Sequence, residues 1–296
     1  MRIKPSAWAG IAIWLVYVAI IVVMQKSSGI PYTDFGDTAA NMWRGIIPSL
    51  VVGSLVTALL GVWMGWWGAA LRDKHRTKVG WALIAPVIYL LIALVTTATS
   101  DWGNISVSFL IVAVVLGIGV GFAEEFVCRG MLLVGLRGNM QEIAVWALTC
   151  LLFGAMHGAN IFLGQAAGPT MFQIAMAAIQ GSGFYILRRY YGSLVWAMVL
   201  HGFWDFSIFV HEASGAAASI ANVFVWVAAP FALVGGFVVA RRTQQGPVED
   251  YAVGPKACGR APGQARGGGG RGGRAEGVWV GGLRGHSRLI TPDPCT

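Results

Sequence analysis

Eight apolar runs decide what this chain can fold into: Ala7 to Met24, Ile46 to Trp67, Val79 to Thr97, Ile105 to Leu136, Ile143 to Leu163, Met171 to Leu187, Leu194 to Val210 and Ile220 to Ala240. Each reaches or approaches the roughly 17 to 25 residues a helix needs to cross a bilayer. Backbone N–H and C=O groups in lipid are satisfied only within helices or closed barrels, and runs this long and continuous select the helix. The 296 residues are 56% hydrophobic and only 11% charged, too apolar for one soluble core. The expected fold is all-α: a polytopic transmembrane helical bundle of about eight spans, whose first partner is the lipid bilayer.

The first run follows Arg2 and Lys4 but is long for a signal peptide, and no A-x-A site follows in Gln25 to Tyr32. It reads as a retained anchor. Cys128, Cys150, Cys258 and Cys295 sit singly, without a C-x-x-C pair, so no disulfide framework is implied. The net charge of +8 needs no nucleic-acid partner, and none is expected, because Lys and Arg collect in the cytoplasmic loops of membrane proteins. The N-terminus, Arg72 to Lys78, Arg137, Arg188-Arg189 and Arg241-Arg242 all fall on one side of an eight-span arrangement. That pattern places both termini in the cytoplasm of a multi-pass protein. Trp63, Trp66 and Trp67 suit an aromatic belt at the interface. From Thr243 the composition turns to Pro and to the run Gly267 to Arg274, so residues 243–296 are expected to be a disordered cytoplasmic tail.

Against this apolar background the polar side chains inside the spans stand out. The fourth run carries Glu124, Glu125 and Arg129, the fifth Phe153, His157 and Asn160, and the seventh His201 and Asp205. An ionisable group near the bilayer centre costs about 2.5 to 3.5 kcal/mol on insertion scales, so such groups usually face a bundle interior and mark function. Glu125 and Arg129 are spaced i, i+4 with the acid first, which lets them neutralise each other. Glu124 points about 100° away and lacks a local partner, the setting of a general base. His201 and Asp205 share one helix face. At about 1.5 Å of rise per residue, Glu124, His157 and His201 all fall near mid-membrane. The fourth run is long enough to protrude from the bilayer or to bend at Gly117, Gly119 and Gly121.

Taken in order, Glu124-Glu125-x-x-x-Arg129, Phe153-x-x-x-His157 and His201-x-x-x-Asp205 resemble the CAAX-processing and bacteriocin-processing (CPBP, or Abi) intramembrane proteases. The resemblance covers about 110–209; the first three spans and the tail carry no comparable signature. It implies a type II CAAX prenyl protease-like endopeptidase in residues 1–242 of a bacterial-type plasma membrane. Its substrate would be a peptide or protein, cut near its C-terminus or within a membrane segment. Glu124 would activate water with help from His157, while Glu125 and Arg129 would shape and neutralise the site. His201 would polarise the scissile carbonyl, oriented by Asp205 where many members have Asn. Members are often called metalloproteases, and Glu124, His157 and His201 would make a three-ligand zinc set; catalysis by glutamate without a metal is the favoured reading. Two other classes share these features: a non-proteolytic immunity or binding protein of the same fold, and a proton-coupled transporter. Intact Glu124, His157 and His201 disfavour the first, and the lack of matching broken spans in two halves disfavours the second.

Overall fold

The Ser6 side chain accepts the Ala9 backbone N–H and starts a helix that runs through the first apolar stretch, α1, Ala7–Ser27. In the computed structural model, which describes residues 1–243, seven more long helical segments follow, with short helical turns at Tyr32–Asp34, Trp67–Leu71 and Trp102–Asn104 between them. They are α2 Ala39–Met64, α3 Gly80–Ala98, α4 Val107–Arg137, α5 Glu142–Leu163, α6 Ala167–Tyr191, α7 Val195–Ala213 and α8 Ile220–Arg242. All but α6 and α7 are long and apolar enough to cross a membrane. α6 and α7 miss that standard because they carry polar residues, among them Gln173, Gln180, Arg188, Arg189, His201, Asp205, His211 and Glu212. The architecture is an all-α membrane bundle, and the expected tail at 243–296 lies, but for Thr243, outside the described residues.

Helix α2 stops where Gly65 takes a left-handed φ of 73°. The following Trp66 turns inward rather than joining an interfacial belt: it is fully buried, and its indole N–H donates to the Ile3 carbonyl at 2.8 Å. Trp63 and Trp67 stay exposed. α4 has 31 residues, about 46 Å at 1.5 Å per residue, well over a hydrocarbon thickness of about 30 Å. It runs on past its glycines, and its irregularity lies instead at a π-helical stretch, Phe126–Leu132, directly after the two glutamates. Such insertions often occur at functional sites.

The glycines serve the crossing of α4 and α7. A Cβ on Gly117 would lie 2.6 Å from the Gly202 carbonyl oxygen, and one on Gly121 would run into the Met198 carbonyl oxygen. Small residues let membrane helices approach this closely. Gly121→Val should force the pair apart at a cost of about 1 to 3 kcal/mol. A lower thermal midpoint in detergent, together with reduced activity because Glu124 and His201 ride on these two helices, is the expected result.

The bundle has two distinct ends. At one, the Arg2 N–H donates to the Met64 carbonyl, Ala7 N–H to the Asn139 side chain, and Thr77 meets Thr243 at 2.9 Å. Here Arg137, Arg188 and Arg189, which the sequence presents as ordinary loop charges, are buried around Asp73. Asp73 Oδ1 lies 2.8 Å from Arg137 and 3.0 Å from Arg188, and Oδ2 lies 2.5 Å from Arg189. Arg137 also pairs with Glu142, which accepts the Tyr185 hydroxyl at 2.8 Å. At the other end Lys26 donates to the Phe162 carbonyl, Gln173 to the Tyr32 hydroxyl, and Asn104 to the Ser214 carbonyl. The basic segments thus share one end, as an even number of crossings requires.

Candidate active site

The π-helical stretch places Arg129 beside Glu125, whose Oε1 accepts its Nη1 at 2.8 Å with both side chains fully buried. The guanidinium also lies over the Phe153 ring, 3.8 Å from its centroid, a cation–π contact in a dry interior. α6 makes room for it at Gly181, where a Cβ would collide with Arg129 Nη2.

The same Glu125 oxygen accepts a second hydrogen bond, from His201 Nδ1 on α7 at 3.0 Å. Glu125 therefore ties α4 to α7 and fixes the imidazole, a task that the family resemblance assigns to Asp205. Asp205 Oδ2 is 3.9 Å from His201 Nε2, beyond hydrogen-bond reach. Glu124 Oε2 is 3.8 Å from that same Nε2, and it is buried without a hydrogen-bond partner among the described residues. Phe184 stacks on His201 with centroids 4.8 Å apart and an interplanar angle of 19°.

His157 sits where α5 tightens into a 3₁₀ turn, His157–Leu163. Its Nδ1–H donates to the Phe153 carbonyl at 2.9 Å; a carbonyl only accepts, so Nε2 keeps its lone pair. The Phe153 ring stands nearly perpendicular to both imidazoles, its centroid 5.4 Å from that of His157 and 5.5 Å from that of His201. This one side chain spaces the two histidines and cradles the arginine. Asn160 turns instead to Gln173, donating at 2.9 Å.

Glu124, His157, His201 and Asp205 line one cavity of about 1360 Å³, while Glu125 and Arg129 stand behind its wall. That volume exceeds the roughly 300 to 1,000 Å³ of small-molecule pockets. Two cavity-lining residues carry polar atoms that sequence reasoning passed over. The hydroxyl of Tyr17 on α1 and Nε2 of Gln180 on α6 are buried with no partner among the described residues. Neither belongs to a motif; only their polarity within apolar runs marks them.

Among the described residues no three His, Cys, Asp or Glu side chains converge closely enough to hold one ion.

Residues 106–207 match a family model described as type II CAAX prenyl endopeptidase Rce1-like. No curated protein and no solved structure matches the chain. The matched segment contains both glutamates, both histidines, Arg129 and Asp205, so the part of the chain that carries the candidate site is similar to the Rce1-like type II CAAX prenyl endopeptidases.

Proposed function

We propose that the chain is an intramembrane endopeptidase that hydrolyses a peptide bond of a segment drawn into the cavity, with Glu124 activating the water. The observation that carries this reading is the grouping of Glu124, His157, His201 and Asp205 on the wall of one large cavity inside an apolar bundle. Glu124, with a free buried oxygen, takes a proton from water as the remaining hydroxide adds to the scissile carbonyl carbon. His157, its Nδ1–H held by the Phe153 carbonyl, accepts a hydrogen bond at Nε2 and orients that water. His201, held through Nδ1 by Glu125, presents Nε2–H to the carbonyl oxygen on which negative charge develops. Fixed donors of this kind supply the largest share of many hydrolytic rate enhancements. The proton on Glu124 then passes to the leaving amine, the C–N bond breaks, and a carboxylic acid and an amine remain, which ionise to carboxylate and ammonium. Asp205 faces the cavity near His201 and adds its charge to the field there.

No step is routed through a metal. Purified protein in proteoliposomes should cleave an apolar peptide equally well before and after exhaustive chelation. His201→Ala and His157→Ala should each lower the rate by about 10² to 10⁴, the usual worth of an acid–base or polarising group. Activity lost on chelation and restored only by zinc would overturn the metal-free mechanism.

A further inference from the structure

The cavity has a definite direction. Its outer wall lies at the end away from the arginine cluster and comes from Thr33, Phe35, Gly36, Asp37 and Gln165, from Glu212 in the last turn of α7, and from Ala218, Ser219 and Asn222 around the start of α8. No lining residue comes from the Arg72 to Lys78 loop, from the α4–α5 turn at Arg137, or from the Arg188-Arg189 end of α6. Toward the mouth the charge of the lining is one-sided as well. Glu124 and Asp205 lie at its floor beside His157 and His201, Asp37 and Glu212 lie toward its mouth, and among the described residues no Lys or Arg lines it. A cleft with low-dielectric walls and charge of one sign focuses that field and concentrates counter-ions.

A carboxylate cluster alone would say little. Here, however, two polar side chains on the same wall are more than nine-tenths buried and have no partner among the described residues: the Tyr17 hydroxyl toward the floor and Ser219 Oγ at the mouth. Buried hydroxyls without partners are uncommon and costly, and each of these two can donate to a carbonyl of a bound peptide. The basic end opposite the mouth is the cytoplasmic one by the bias of Lys and Arg.

Resting on the protease reading above, we infer that the substrate is a positively charged peptide segment that enters from the non-cytoplasmic face. Its basic residues sit between Asp37 and Glu212 while the apolar stretch beside them reaches Glu124. A chain tethered to the cytoplasmic leaflet meets the closed, arginine-lined end instead.

Two measurements test this without depending on turnover. In the first, Glu124→Gln protein in nanodiscs is titrated with fluorescent peptides of one apolar sequence, preceded by a pair of arginines or by a pair of glutamates. The arginine peptide should bind about tenfold or more tightly at low salt, the preference should shrink as salt rises, and Asp37→Asn/Glu212→Gln should bring the two affinities together. Equal affinities, or a preference that survives the double substitution, would overturn the inference. In the second, Ala218→Cys and Lys74→Cys are placed separately in a chain whose four native cysteines are serine. A membrane-impermeant maleimide added to intact cells should label position 218 and spare position 74; the reverse pattern would sink the stated direction. Loss of the protease reading shows differently, as charge-selective binding with no cleavage by the unsubstituted protein.

Discussion

Glu124→Gln should abolish peptide cleavage while leaving the bundle folded. The substitution keeps size and removes only the ability to take a proton, so the rate should fall by about 10² to 10⁴ or more, the range for loss of a general base. Structure should survive because Glu124 makes no ion pair closer than 3.8 Å and its Oε2 has no hydrogen bond to lose. Glu125→Gln is the informative contrast. Glu125 holds Arg129 at 2.8 Å and His201 at 3.0 Å with no exposure, so its loss leaves a buried guanidinium uncompensated, which typically costs about 3 to 5 kcal/mol. The two neighbours should thus separate cleanly: one variant inactive and stable, the other inactive and unstable. Rates in proteoliposomes and thermal midpoints in detergent give both readings.

The second large effect lies at the opposite end of the bundle, away from the chemistry. Asp73→Asn removes the carboxylate shared by Arg137, Arg188 and Arg189, all buried. Breaking such a buried network from one side should cost about 3 to 5 kcal/mol, read as a lower unfolding midpoint and an earlier loss of protein from membranes. Burial by itself would raise the Asp73 pKa, but Arg137, Arg188 and Arg189 outweigh it and hold the carboxyl well below the usual carboxylate range. With the folded value below the unfolded one, this stabilisation is fully present above the ordinary aspartate pKa of about 3.9 and is lost only as pH falls toward the folded value. Stability from this cluster should therefore be flat from neutral pH to about 4 and decline in stronger acid. Asp73→Asn should flatten that acid limb.

Much of this bundle is written locally. Apolar runs place all eight helices, and i, i+4 spacing brings Glu125 to Arg129 and puts Phe153 one turn before His157. What the sequence hides is set between helices. The Glu125–His201 bond depends on how α4 crosses α7, which Gly117, Gly121 and Gly202 fix by close backbone approach. Spacing within α7 puts Asp205 on the same face as His201, and only such neighbours on one helix are legible in one dimension. Tyr17 reaches the cavity from a helix 107 positions before Glu124 in the chain, so nothing local announces it. Arg137, Arg188 and Arg189 look like solvated loop charges until Asp73 is seen among them. Trp66 resembles an interfacial anchor because its inward turn follows from the left-handed Gly65, which composition does not encode.

The central claim is that water, activated by Glu124 in the shared cavity, splits an amide. The most direct measurement is mass spectrometry of an apolar peptide incubated with the reconstituted protein in H₂¹⁸O, beside Glu124→Gln. One ¹⁸O in the new carboxylate of a fragment that the variant fails to produce is the result expected. An intact peptide, or the same labelled fragment from both proteins, would contradict the account.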